Sequence, residues 1–214
     1  MTIRQVQRYL LQPCTSRDNS AYPVVFFSRA GCKAVLLWVE GGKGKKDHFL
    51  KDAEQNIIAE NSISDIRTRF PNFPKGARLR NGIKCDLRKF ISTLHAISDT
   101  SACEQSACGI MLDAWNLIED LAYTLNAPSL PEIRRDKLVD NVYKKILFGN
   151  NLPSITPKGR KYRPLFNSEE IKKLHRIFRA LFFDIYRSAP TKLGVVFRDV
   201  YELGNKSAKK RKPK

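Results

Sequence analysis

Apolar residues recur along this chain in two different rhythms. Residues 22–28 and 33–40 are rich in Val, Phe and Leu, the composition of a pleated surface, and Arg29-Ala-Gly-Cys32 between them predicts a hairpin turn. A Gly/Lys loop at 41–46 leads to a short stretch at 48–51, a turn at 52–56 and another stretch at 57–60, completing an expected antiparallel meander. Ser62-Ile-Ser-Asp65 has the spacing of a capping box, with Asp in place of the usual Glu or Gln, and predicts a short helix ending near Phe70.

Beyond Asp86 the rhythm is that of amphipathic helices, in which one face collects residues three and four apart. Leu87, Phe90, Ile91, Leu94 and Ile97 keep this spacing, and so do Leu117, Ile118 and Leu121 within 110–125, a run that Pro128 and Pro131 end. A third helix is expected over 132–148. A fourth is expected over 167–188, where Asn167 or Ser168 supplies the cap, Glu169 and Glu170 occupy the first turn, and Ile171, Leu174, Ile177, Phe178, Leu181, Phe182 and Ile185 form one stripe. A further helix is expected over 3–11. Pro71-Asn-Phe-Pro-Lys-Gly76 interrupts the chain between the two rhythms. The reading is an α+β protein: an N-terminal antiparallel β-meander with a short helix, then a mostly helical C-terminal half and a disordered basic tail, divided as 1–75, 76–205 and 206–214.

Composition refines this picture. At 214 residues, with 42% apolar and 10% aromatic content, the chain is able to bury a core and does not have the make-up of a disordered protein. No run approaches the roughly 18 apolar residues of a membrane span, and residues 1–12 lack the continuous apolar centre of a secretory signal. The expected location is cytoplasmic, or nuclear in a eukaryotic cell. Five cysteines, an odd number in a chain of this size, imply reduced thiols. Cys103 and Cys108 lack knuckle spacing and no second pair completes a ligand set, so neither a metal nor a cofactor is expected.

Charge changes the picture most. Residues 86–130 hold two Lys or Arg against six Asp or Glu, whereas 155–214 hold seventeen against five. Concentrated charge makes a directed field, where dispersed charge only confers solubility. The cations occur in three contexts. The segment Thr156-Pro-Lys-Gly-Arg-Lys-Tyr-Arg-Pro164 mixes Lys158, Arg160, Lys161 and Arg163 with Tyr162 between prolines, so cations to neutralise phosphates flank a ring that offers a stacking face. Lys172, Lys173, Arg176 and Arg179 fall largely outside the apolar stripe of the fourth helix. The tail adds Lys209, Lys210, Arg211 and Lys212, which gain affinity for a polyanion by releasing counterions without reading sequence. The function expected is non-enzymatic binding of RNA or DNA through this C-terminal third. A second reading is an immunity or antitoxin-like protein that neutralises an acidic partner protein through the same surface.

Candidate chemistry is sparse. Arg88 and His95 are seven apart on one expected helix and so share a face, a spacing that resembles the signature of HEPN-type ribonucleases, in which Arg and His from paired protomers converge on an RNA phosphate. The resemblance covers one helix, and Lys89 stands where that family usually has Asn or Asp. It implies a third reading, a HEPN-like ribonuclease. The alternative is that His95 flanks the core and Arg88 pairs with Asp86 or Asp99. Gly41-Gly-Lys-Gly-Lys-Lys46 lacks the full phosphate-loop pattern. Asp113 and Asp120 share a helix face with Glu119 nearby, and are expected to answer cations on neighbouring elements such as the basic helix. Trp38 and Trp115 read as core.

Overall fold

The computed structural model describes residues 21–29, 32–41, 44–70 and 82–210, with Arg29 and 204–210 as backbone only. Strands β1 (Ala21–Arg29) and β2 (Cys32–Val39) form the expected hairpin, antiparallel from Ala21 opposite Val39 to Arg29 opposite Cys32. Strands β3 (His48–Phe49) and β4 (Ala59–Glu60) pair in turn along β2, with Trp38 opposite Phe49 and Leu36 opposite Ala59. The turn between them is closed by the Asp52 carboxylate, which accepts from the Asn56 N–H at 2.8 Å, and Gln55 takes up a φ of 66°. Helix α1 (Ile63–Arg69) starts as its sequence dictates: the Ser62 hydroxyl accepts from the Asp65 N–H at 3.1 Å.

The meander is part of a mixed sheet, because β5 (Ile83–Asp86) adds to the free edge of β1 in parallel, Val24 opposite Ile83 and Phe27 opposite Asp86. A strand of four residues carries too little alternation to be read locally, and its partner lies about sixty residues away in sequence. Both faces of the sheet are covered. Val35 and Leu37 pack with Ile58, Ile66 and Phe70 under α1, while Ala34 and Leu36 join Val24 and Phe26 in the main core. This two-sided burial explains why β2 is a continuous apolar run.

Helices α2 (Leu87–Ala96), α3 (Gln105–Thr124), α4 (Leu130–Arg135), α5 (Lys137–Gly149), α6 (Ser168–Ser188) and α7 (Thr191–Lys210) make up the rest. The single helix expected over 132–148 is divided at Asp136, whose side chain accepts from the Leu138 and Val139 N–H groups and so starts a new helix. The expectation for 167–188 fits α6, with both halves of a capping box formed between Asn167 and Glu170. Helix α7 goes beyond the four expected helices. Leu193, Val196, Phe197 and Val200 supply its buried face, and Phe197 meets Phe26 at 5.6 Å and Phe182 at 5.7 Å, joining sheet to helices. Its backbone stays helical to Lys210, so Lys209 and Lys210 stand at a helix end; Arg211 and Lys212 lie outside the described residues, as do 3–11 and the 71–81 break. One apolar core contains Val24 and Val200 alike, so residues on both sides of position 75 share it.

Candidate nucleic-acid interface

The C-terminal cations sit on a framework fixed at both ends. Helix α5 closes against Asn150, and Asn151 follows with a φ of 51°. The chain then runs through short turns, Thr156 N–H to Leu152 carbonyl at 2.9 Å and Arg160 N–H to Pro157 carbonyl at 3.1 Å, before Pro164 and Phe166 dive into the protein. The Pro164 carbonyl accepts from the Cys103 N–H at 2.8 Å, and the Leu165 carbonyl accepts from the Lys145 ammonium at 2.9 Å. Lys158, Arg160, Lys161 and Arg163 are all exposed, as is the Tyr162 ring, which lies edge-on to Phe148 with centroids 6.5 Å apart. Arg163 reaches Glu104 at 3.3 Å; Lys158, Arg160 and Lys161 make no side-chain ion pair or hydrogen bond with any described residue.

Helix α6 follows directly. Its apolar side buries Leu174, Ile177, Phe178, Leu181, Phe182 and Ile185, and its outer side shows Lys172, Arg176, Arg179, Phe183 and Arg187 at helical spacing. Arg187 lies 5.6 Å over the Phe183 ring, and Phe183 meets Tyr201 of α7 at 5.6 Å. Lys172, Arg176 and Arg179 have no acidic partner among the described residues. Lys173 differs: it is half-buried and ion-paired with Asp136, whose carboxyl it holds below the usual carboxylate range. Lys145 is likewise tied, to the buried Glu170 at 2.7 Å. Burial therefore sorts the cations into those that hold helices together and those that face outward.

The other candidates fare differently. Arg88 and His95 lie on α2 as expected, Arg88 exposed and His95 half-buried. What faces His95 is His175 of α6, with rings stacked at 5.1 Å and 22°, a meeting of residues eighty positions apart that no local pattern announces. Among the described residues of the Gly/Lys loop, the Gly41 N–H donates to Asp47 at 2.7 Å, and Lys46 lies 5.1 Å over the Tyr123 ring of α3.

The acids of α3 line a cleft of about 1020 Å³ together with Trp38, Trp115, Tyr143 and Arg134. Glu119 answers a cation of a neighbouring element, Arg134 of α4, as expected, though not one of the basic helix; Asp120 takes a tryptophan instead, and Asp113 is exposed at the cleft. Trp38 Nε1 donates to Asp120 at 3.0 Å, Trp115 Nε1 to Glu119 at 3.2 Å, and Arg134 pairs with Glu119 at 2.7 Å. Burial pushes the Asp120 carboxyl up to about 6 despite the hydrogen bond from Trp38. Trp115 is a core residue as expected, whereas Trp38 is half-buried at the cleft. Among the described residues no three His, Cys, Asp or Glu side chains are gathered to hold a metal ion.

Cys103 and Cys108 span the first turn of α3, the Cys108 thiol donating to the Cys103 sulfur at 3.6 Å. Among the described residues no helix is long and apolar enough to cross a membrane. No protein-family model matches the chain, and neither does any curated protein or solved structure.

Proposed function

We propose that this protein binds nucleic acid without chemical turnover, through the loop that carries Lys158, Arg160 and Lys161 and the outer side of α6. The observation that carries the reading is the separation of its cations. Lys145 and Lys173 are neutralised within the fold, whereas Lys158, Arg160, Lys161, Lys172, Arg176 and Arg179 have no acid to answer them among the described residues. Cations held apart from acids on a folded surface repel one another, and a polyanion relieves that repulsion while releasing its own counterions. Exposed rings interleaved with those cations, Tyr162 in the loop and Phe183 on α6, suit a ligand that carries aromatic bases as well as phosphates.

The test is a titration of labelled RNA and DNA oligonucleotides at rising salt. Affinity is expected to fall with a slope of about −0.7 to −0.9 per phosphate neutralised. The triple variant K158A/R160A/K161A is expected to weaken binding at least tenfold and to flatten that slope. Affinity independent of salt, or unchanged in the triple variant, overturns the reading. A pulldown that captures one polypeptide resistant to nuclease treatment favours instead the neutralisation of an acidic partner protein.

A further inference from the structure

Tyr162 is held in a way that its own burial does not explain. The Asn151 side chain grips its backbone from both sides, accepting from the Tyr162 N–H at 2.7 Å and donating to the Tyr162 carbonyl at 3.0 Å, while also donating to the Gly149 carbonyl at 2.8 Å. Asn151 makes these contacts from a left-handed backbone conformation, φ 51°, that Asn tolerates better than most residues. The loop is clamped further at Pro164 and Leu165, as described above. Yet the residue so anchored is 42% exposed, and Phe148, whose ring lies edge-on to its own, is 46% exposed. A clamp that served only the core would bury the ring. This one presents it.

We propose that the loop over 152–163 is a site for single-stranded nucleic acid, with an unpaired base stacked on Tyr162 and flanking phosphates on Lys158, Arg160 and Lys161. The inference rests on the nucleic-acid reading above and narrows it. A duplex keeps its bases stacked inside and offers this loop only phosphates, leaving the ring idle. A single strand has free base faces, and a ring carried on an anchored backbone has less freedom left to lose when it stacks. Leu152, Ile155 and Leu165 are also exposed, which raises the question of a lipid surface. The loop's tip answers it. Gly159 turns with φ +80° into open space, where an added Cβ would meet nothing within 4 Å, and it is flanked by Lys158, Arg160 and Lys161. Insertion of this loop would draw three cations toward the apolar layer along with the leucines.

The experiment compares a labelled oligouridine, longer than the ~4–16 nucleotides of a typical single-strand site, with a blunt duplex of equal phosphate count. Wild type, Tyr162→Ala, Tyr162→Trp and Asn151→Ala are titrated against both. The expected result is tighter binding of the single strand, a loss of about 5- to 150-fold in Tyr162→Ala on that strand alone, retention in Tyr162→Trp, and a smaller loss in Asn151→Ala. Because the ring lies outside the core, thermal unfolding of Tyr162→Ala should stay close to wild type.

Equal losses on both probes, or no loss on either, overturn the stacking site while leaving phosphate binding by the cations intact. Failure of the wild type to bind either probe overturns the parent reading as well. Tyr162-dependent binding to anionic phospholipid vesicles, without preference for the single strand, assigns the loop to a membrane surface and overturns the inference.

Discussion

Helices α3 and α6 lie against one another, with Trp115 edge-on to Phe178 at 5.0 Å, and they carry opposite charge to opposite ends. Helix α3 has no Lys or Arg, and its Glu119 and Asp120 are engaged by Trp38, Trp115 and Arg134 within the fold. Helix α6 has five Lys or Arg; Lys173 is spent on Asp136, while Lys172, Arg176 and Arg179 face outward unanswered. Their starts differ in the same sense. The Glu104 side chain caps no N–H of α3 and pairs instead with Arg163, whereas α6 opens with a complete capping box. The lesson is that segregated charge in a sequence need not mean two charged surfaces. Glu119 and Asp120 are engaged within the fold, whereas Lys172, Arg176 and Arg179 are paired with no acid among the described residues.

The largest effect should come where the two helices share a contact. Phe178 also meets Phe90 edge-on at 4.7 Å, so Phe178→Ala removes a ring from three others and is expected to cost about 3–5 kcal/mol in chemical denaturation. A loss below ~1 kcal/mol would show that the interface is not a packed core. Next, K172A/R176A/R179A should reduce oligonucleotide affinity by about 10- to 100-fold while leaving unfolding within ~0.5 kcal/mol of wild type. A large stability loss with affinity unaltered would reverse the roles assigned to the outer and inner cations.

Asp120 sharpens the acidic side of the comparison. Its folded pKa, about 6, lies above the ordinary value, so the folded state holds the proton more tightly than the unfolded chain. Its contribution to stability is therefore fully present at low pH and is lost as pH rises from about 4 through 6. Asp120→Asn keeps an acceptor for Trp38 and should raise stability at pH 7 by about 1 kcal/mol, a figure reduced for partial solvent screening, and flatten the profile across that window. An unaltered profile would place the titration elsewhere.

Smaller again, Asn167→Ala removes the box of α6 and should cost about 1 kcal/mol by thermal melting. The corresponding Glu104→Ala at α3 should cost less, since no cap hydrogen bond is lost. Smallest of all, Lys173→Gln should leave nucleic-acid affinity within about twofold, because its charge is already answered by Asp136.

Much of the fold is legible where the determinant is local. The Ser62 and Asn167 caps, the hairpin between β1 and β2, and the stripe from Leu174 to Ile185 all depend on residues within a few positions of one another. Helix α7 was not expected, although Leu193, Val196, Phe197 and Val200 keep helical spacing, because that short stripe lies among the basic residues that dominate the C-terminal third. The break at Asp136 was written in a capping residue placed inside an otherwise continuous helical pattern.

The sequence by itself determined the α+β order, the caps, and the concentration of cations beyond residue 155, because periodicity, capping and charge counts are properties of neighbouring residues. Only the tertiary structure decided that β5 joins β1 in parallel, that His95 lies on His175, that Asn151 grips Tyr162, and which lysines are answered by acids. Those are meetings between distant segments or choices of partner. They are set by how the shared core draws the elements together, and a local pattern carries no record of them.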